Sequence, residues 1–347
     1  MISVGIVGLS ASGGWAGRAH VPALAAVDGI ELRGLVTSSA ESGRAASAAF
    51  GVPAYESVSA LARAVDLVVV TVKVPQHREL VLPALELGVP VLSEWPLALD
   101  LRQAEELERA AGETPTFVGL QGRSAPVFRW LADLVANGYV GDVLSATVVA
   151  STEGWGSPAS ERMRYTLDRE NGATMLTIAF GHAIDTVSMV VGELDDVVAT
   201  TATRRAQVPL AGTEATIPMT AEDQVAISGT VTGGAILSAH YRGGVKSGFS
   251  LLVDGTEGSL EISAPSHPGL APVTVRGAGE LTLPGAYDAF PQLAGTPVHA
   301  LAHAYAAIRD DLTRGTTVVP DFAHAVKRHR LLDAIQRSAA TGQRVRP

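Results

Sequence analysis

Short apolar runs and amphipathic stretches alternate along the first third of the chain. Residues 2–7 are apolar at nearly every position and end in Gly8; a segment of small residues follows, then a helical pattern over 15–27. Residues 30–37 read as a second strand and 42–50 as a helix. Residues 66–72 are β-branched and nearly all apolar, the pattern of a strand covered on both faces of a parallel sheet. A helix over 78–87, a strand over 89–93, a helix over 99–111 with Asp100 as its N-cap, and a strand over 116–120 complete the run. Strands alternating with helices of this length predict right-handed βαβ units and a doubly wound parallel sheet.

After about Arg123 the period changes. A helix over 126–137 gives way to period-2 segments at 143–151, 197–204, 224–232, 235–241 and 249–253. The turns between them are rich in glycine: Thr232-Gly233-Gly234, Arg242-Gly243-Gly244, Asp254-Gly255 and Glu257-Gly258. They predict hairpins of an antiparallel sheet. Two helices, near 298–314 and 323–340, end the chain, and no internal repeat or low-complexity segment appears.

Composition narrows this picture. A length of 347 residues suits about two domains, and a hydrophobic fraction of 47% suits sizeable cores. With 26 basic against 35 acidic side chains, the formal charge of −9 argues against a nucleic-acid partner, which needs clustered Lys and Arg. The one basic stretch, 326–347, carries Lys327, Arg328, Arg330, Arg337, Arg344 and Arg346 and reads as a solvated helix face. The absence of cysteine excludes disulfides, thiolate nucleophiles and iron–sulfur clusters. Met1 leads straight into a strand pattern without a basic or apolar leader, and the most apolar window, 173–191, is interrupted by His182 and Asp185. A cytoplasmic protein with no membrane partner is expected.

The first βα turn carries the clearest chemistry. It reads Gly8-Leu9-Ser10-Ala11-Ser12-Gly13-Gly14-Trp15, between a strand and a helix. Gly8, Ser10, Ala11, Gly14 and Trp15 allow a backbone to approach a pyrophosphate at the start of a helix, although Ser10 stands where a second glycine is usual. At the end of the second strand stand Thr37, Ser38 and Ser39, with Arg44 beyond them. Hydroxyls and an arginine suit a 2′-phosphate, and an NAD site usually has Asp or Glu there, so NADP(H) is favoured over NAD(H).

Several separated segments resemble the glucose–fructose oxidoreductase / inositol dehydrogenase family (Gfo/Idh/MocA). They are Pro75-Gln76-His77, Glu94-Trp95-Pro96-Leu97-Ala98, Gly138-Tyr139-Val140-Gly141-Asp142, Gly181-His182-Ala183-Ile184-Asp185 and His329-Arg330-Leu331-Leu332-Asp333. Gly14-Trp15-Ala16 with His20, Leu120-Gln121-Gly122-Arg123, Gly154-Trp155 and Phe180-Gly181-His182 are similar to the galactose-gene repressor branch. The resemblance implies a dinucleotide-binding (Rossmann) domain over 1–122. It also implies an α+β substrate and oligomerisation domain over 123–347, with a large, mostly antiparallel sheet that often pairs subunits into a homodimer or homotetramer. The last helices are free to pack back on the first domain. His77 and Glu94 follow the family pattern near the nicotinamide ribose; Val72 and Trp95 flank them, and Gln121 and Arg123 would meet the coenzyme as well.

The departures are informative. Family dehydrogenases carry Glu-Lys-Pro, whose lysine handles the substrate hydroxyl proton; here that residue is Trp95, and the aspartate four residues before the histidine is Ile178. His182 is left as the acid–base candidate, and Lys73, at the end of an apolar strand, as a possible substitute cation. Trp95, Trp155, Tyr165 and Asp185 are candidate contacts for a small-molecule substrate; Asp185, one helical turn on, is also placed to orient His182. Three readings stay open: an NAD(P)-dependent oxidoreductase acting on a sugar-like or other hydroxyl, carbonyl or imine compound; a dinucleotide- or sugar-sensing regulator without turnover; and redox-neutral chemistry on a tightly held nicotinamide. His299 and His303 share a helix face, but no third ligand follows from sequence, so no metal is expected.

Overall fold

Five parallel strands, β1 (Ile2–Val7), β2 (Ile30–Val36), β3 (Leu67–Val70), β4 (Val91–Glu94) and β5 (Thr116–Gly119), form a sheet in the order β2-β1-β3-β4-β5. They belong to a computed structural model that describes residues 1–347 and divides into two units: Met1–Ser124 with Phe290–Val326, and Ala125–Ala289 with Lys327–Pro347. In the first unit a π-helical turn, Ala16–His20, runs into α1 (Val21–Ala25); α2 (Ala40–Phe50), α3 (Val58–Ala62), α4 (His77–Leu85) and α5 (Leu101–Ala111) follow. Asp100 caps α5 by accepting from the Gln103 amide at 2.8 Å, as its sequence position predicts. All four residues of β3 are fully buried, as a parallel strand covered on both faces requires. Strand order reverses at β1, so β2 lies on one side and β3, β4 and β5 on the other, with all C-terminal strand ends on one edge.

The chain returns to this unit late. Leu301, Ala302, Tyr305 and Ile308, on the inner face of α8 (Val298–Arg314), join the core of Val4, Ile6, Leu24 and Leu92. The division between the units falls inside α9 (Phe322–Thr341).

The second unit holds α6 (Pro126–Ala136), β6 (Val143–Ser151), α7 (Gly181–Val191) and β7 (Val198–Ala202). β8 (Gln207–Pro209) and β9 (Thr216–Pro218) form a separate hairpin. β10 (Gln224–Thr230), β11 (Ile236–Arg242), β12 (Gly248–Gly255), β13 (Ser259–Ala264), β14 (Thr274–Arg276) and β15 (Glu280–Leu281) complete an eight-stranded sheet in the order β15-β14-β13-β12-β6-β11-β10-β7. Phe180, Ala183, Ile184 and Val187 pack on Val148, Ala239 and Tyr241 of one sheet face. On the opposite face Val149 and Ile236 stay 45% and 52% exposed, so this face is open within the chain.

Two expectations change. Arg242-Gly243-Gly244 is not a hairpin turn: β6 lies between β11 and β12, and it pairs with β11 in parallel and with β12 antiparallel. A local glycine pair cannot reveal that a strand from a hundred residues earlier has taken the central place. The basic tail is also not uniformly solvated. Lys327 and Arg337 are exposed, but Arg328 is fully buried, donating to Asp185 at 3.1 Å and to both oxygens of Glu193 at 3.0 and 2.9 Å. No helix is long and apolar enough to cross a membrane.

Candidate functional site

In the first unit the candidate residues gather on the C-terminal edge of the parallel sheet. The glycine turn takes left-handed backbone angles at Gly8, Gly13 and Gly14, with φ of 95°, 93° and 134°. Gly8 is also tight: a Cβ there would stand 2.8 Å from Val72 Cγ1 and 3.1 Å from the Thr71 carbonyl oxygen. A side chain there would push the turn away from the chain that leaves β3. Ser10 and Ser12 hydrogen-bond to each other at 2.8 Å, and Ala11 is exposed. The indole N–H of Trp15 is buried without an acceptor in the protein, an arrangement that a ligand oxygen would complete. These two observations fit a nucleotide diphosphate lying over β1.

At the end of β2 the hydroxyls serve the backbone. Thr37 donates to the Ser39 carbonyl at 2.9 Å, and Ser39 and Ser42 form a capping box for α2. Ser38 is exposed, and Arg44 is exposed without an ion-pair partner. Glu41 stands in the first turn of the same helix, so this end carries one charge of each sign.

Beyond β3, Lys73 is exposed. His77 is buried, its ring nitrogens 3.1 Å from the Val72 carbonyl and 3.3 Å from the Leu97 carbonyl. Burial pushes its imidazole below the usual histidine value. With carbonyls facing both nitrogens, it braces the segment that carries Trp95. Trp95 is 5% exposed and joined to Pro96 by a cis peptide. Glu94 reaches inward: its Oε2 accepts from Gln121 Nε2 at 2.9 Å, and its Oε1 lies 3.1 Å from His20 Nε2. His20 in turn lies 2.7 Å from the Tyr305 hydroxyl. Arg123 is half-buried and lines an open cavity of about 700 Å³ with Thr116, Asp311 and Phe322. β5, which borders this cavity, is three strands from β1.

In the second unit His182 occupies the first turn of α7 and is half-buried. Its ring meets that of His267 edge-on, with centroids 5.2 Å apart. His267 Nδ1 accepts from the Gly269 amide at 3.1 Å. Burial and the neighbouring His182 push its pKa down to about 3, so its imidazole is neutral at physiological pH. Trp155 is 8% exposed with φ of 55°, and its indole N–H donates to the Thr166 carbonyl at 2.9 Å, so this tryptophan packs inward. Tyr165 is half-buried, and burial raises its phenol. Asp185, 1% exposed, accepts from Arg328, so its carboxylate anchors α9 to α7.

Sequence reasoning missed four participants. His20 stood in a quoted motif without a role, and Tyr305 lies 285 positions away in an ordinary amphipathic helix. Arg328 was read by charge alone. His267, flanked by Pro265 and Pro268, had one available signal: a histidine in a turn that prolines hold rigid.

Comparison with known proteins agrees with this geometry. Residues 2–121 match the family model of the oxidoreductase family with an NAD-binding Rossmann fold, and residues 126–264 match that of the Gal80p C-terminal domain. The dehydrogenase aclE of Aspergillus oryzae is 28% identical over 366 aligned residues, covering 99% of this chain and 97% of the relative. The galactose/lactose metabolism regulatory protein GAL80 of Saccharomyces cerevisiae is 29% identical over 75% of this chain, a stretch that spans 66% of the regulator. Among solved structures, a super-repressor mutant of Gal80p from Saccharomyces cerevisiae superposes with a TM-score of 0.88 at 23% identity, over 99% of this chain and 97% of that one. Levoglucosan dehydrogenase in complex with NADH and L-sorbose superposes with a TM-score of 0.85 at 21% identity, over 99% and 98%. Residues 2–121 are thus similar to the NAD-binding Rossmann domain of that oxidoreductase family, and residues 126–264 to the C-terminal domain of Gal80p.

Proposed function

We propose that the protein is an NAD(P)-dependent oxidoreductase acting on a sugar-like or other small hydroxyl, carbonyl or imine compound. The observation that carries this reading is the edge above β1, where the turn at Gly8 packs too closely on β3 for a side chain and the Trp15 indole N–H has no acceptor in the protein. The dehydrogenase relative, matched along nearly the whole of both chains, supports it. A bound nicotinamide supplies the hydride donor or acceptor. The protein's part is to hold the substrate and to move one proton, worth about 10²–10⁴ in rate. Trp95 cannot titrate. His182 is assigned the proton, since imidazole changes charge near neutral pH, with Lys73 as the second candidate. NADP(H) is favoured on Arg44, because Thr37 and Ser39 are engaged by the backbone.

A second reading, a non-catalytic sensor of dinucleotide or sugar, is favoured by one observation: the residue in the lysine position is a buried tryptophan, in a chain whose second domain is of the Gal80p type. One experiment separates the two. Purified protein is titrated with NAD⁺ and NADP⁺, then followed by nicotinamide absorbance against a panel of sugars and polyols. Turnover that falls about 10²-fold or more in His182→Ala supports the enzyme. Coenzyme binding without turnover supports the sensor, and failure to bind either coenzyme removes both.

A further inference from the structure

His267 is held in one protonation state by its own turn. It follows β13, and the chain closes around it: the Gly269 amide donates to its Nδ1 at 3.1 Å, and the Leu270 and Ala271 amides donate to its carbonyl, each at 3.1 Å. Pro268, next in the chain, has its φ fixed by its own ring. With a donor facing Nδ1, that nitrogen keeps its lone pair, and the single proton of a neutral imidazole sits on Nε2. Burial and the neighbouring His182 keep the ring neutral, at a pKa of about 3. His267 is therefore a donor at Nε2 with no acceptor left to offer. That Nε2 is buried without a hydrogen-bond partner in the protein, whereas nearly all buried polar groups find one. Its place gives this donor meaning. The ring stands edge-on to that of His182, with centroids 5.2 Å apart and planes at 88°, so the unsatisfied N–H belongs to the ring beside the residue assigned the proton.

A hydroxyl or carbonyl oxygen has lone pairs for such a donor. As a hydride reaches a carbonyl carbon, negative charge gathers on the oxygen, and a hydrogen bond to it strengthens. A neutral imidazole can polarise a carbonyl in this way. The iminium nitrogen that accepts hydride in imine reduction has no lone pair, so the same N–H would face a cation that cannot accept from it.

We propose that His267 is a substrate-binding residue whose Nε2–H donates to the oxygen whose proton His182 handles, and that the substrate is accordingly a hydroxyl or carbonyl compound and not an imine. The inference deepens the oxidoreductase reading and rests on it. In the oxidative direction the carbinol hydrogen leaves carbon with the electron pair of its bond, as hydride taken up by oxidised nicotinamide. The O–H bond breaks, its proton passes to His182, and C–O becomes C=O. Reduction runs the same changes backwards, and His267 keeps its proton throughout.

The test uses the full chain. Imidazole ¹⁵N spectra of the unliganded protein at neutral pH are expected to show His267 in the Nε2–H form. With coenzyme bound, addition of D-glucose, D-galactose or myo-inositol is expected to shift the Nε2 resonance of His267 for the compound that is turned over. In His267→Phe, kcat/KM for that compound is expected to fall about 10²-fold. His267→Gln, whose amide N–H can take the place of Nε2–H, is expected to keep most of it, and it serves as the second variant where the phenyl ring unfolds the turn. The cyclic imine pyrroline, offered with NADH and NADPH, is expected to stay unreduced. The proposal is overturned by an Nδ1–H or cationic His267 in the wild type, by unchanged kcat/KM in His267→Phe, by a His267→Gln as impaired as His267→Phe, or by reduction of pyrroline. Turnover of no probe by wild type overturns the oxidoreductase reading and this assignment with it, whereas a wrong tautomer overturns the assignment alone.

Discussion

Two buried polar clusters, one in each unit, are built from similar groups and end differently. In the first, Gln121 donates to Glu94, His20 lies between Glu94 and the Tyr305 hydroxyl, and the Trp15 N–H is buried without an acceptor in the protein. In the second, Arg328 donates to Asp185 and to both oxygens of Glu193, and its Nη1 is buried without a partner. The first gathers at the C-terminal edge of the parallel sheet, whereas the second ties α9 to α7. Burial, charge and an unpaired donor therefore do not by themselves mark a site; the place in the fold decides.

The strongest way to break this contrast is to remove the guanidinium of the second cluster. Arg328→Met takes one charged partner from the buried Asp185, and removing one partner of a buried pair costs about 3–5 kcal/mol. Urea denaturation is expected to show that loss, with coenzyme affinity of the folded protein unchanged; a stability-neutral variant would mean that Arg328 does not hold α9 to α7. A smaller effect is expected at the cradle. Gly8→Ala places a Cβ 2.8 Å from Val72 Cγ1 at a φ of 95°, strain of about 1–2 kcal/mol. Titration should show dinucleotide and ADP weakened together, because both share the diphosphate.

The smallest effect concerns His267. Its folded pKa of about 3 lies below the ordinary 6.5, so between these values the unfolded chain binds more protons. Its contribution to stability is complete above pH 6.5 and is lost as pH falls through that window. Thermal unfolding of His267→Gln should show a flatter pH slope below 6.5 than wild type; an identical slope would mean that the folded imidazole titrates as an unfolded one does.

Much of the fold was legible because local patterns dictate it. The apolar run that became β3, the Asp100 cap and the glycine turn after β1 each follow from residues close in sequence. The long-range choices were not legible. Nothing near Arg242 announces that β6 enters between β11 and β12, and nothing in α8 announces that Tyr305 meets His20. The candidate site divides in the same way. Gly8 was visible as a candidate by type and spacing, and Glu94 and His182 through the family resemblance. The groups that orient Glu94, and the histidine beside His182, come from elements whose own sequences carry no chemical signal. Thr37 and Ser39 show a further point the pattern could not carry: their hydroxyls bond within the turn and the cap of α2.

The central place of β6 also constrains the order in which the second sheet is assembled. It is made early in synthesis, yet both of its neighbours, β11 and β12, lie about ninety or more residues downstream. Until they leave the ribosome, β6 has two unsatisfied edges on a nascent chain, a state open to wrong partners. Its pairing must also wait for long loops to close, which slows folding relative to a simple meander. The alternating polar positions along β6, Ser145 and Thr147 among them, keep that waiting strand from being apolar on both faces.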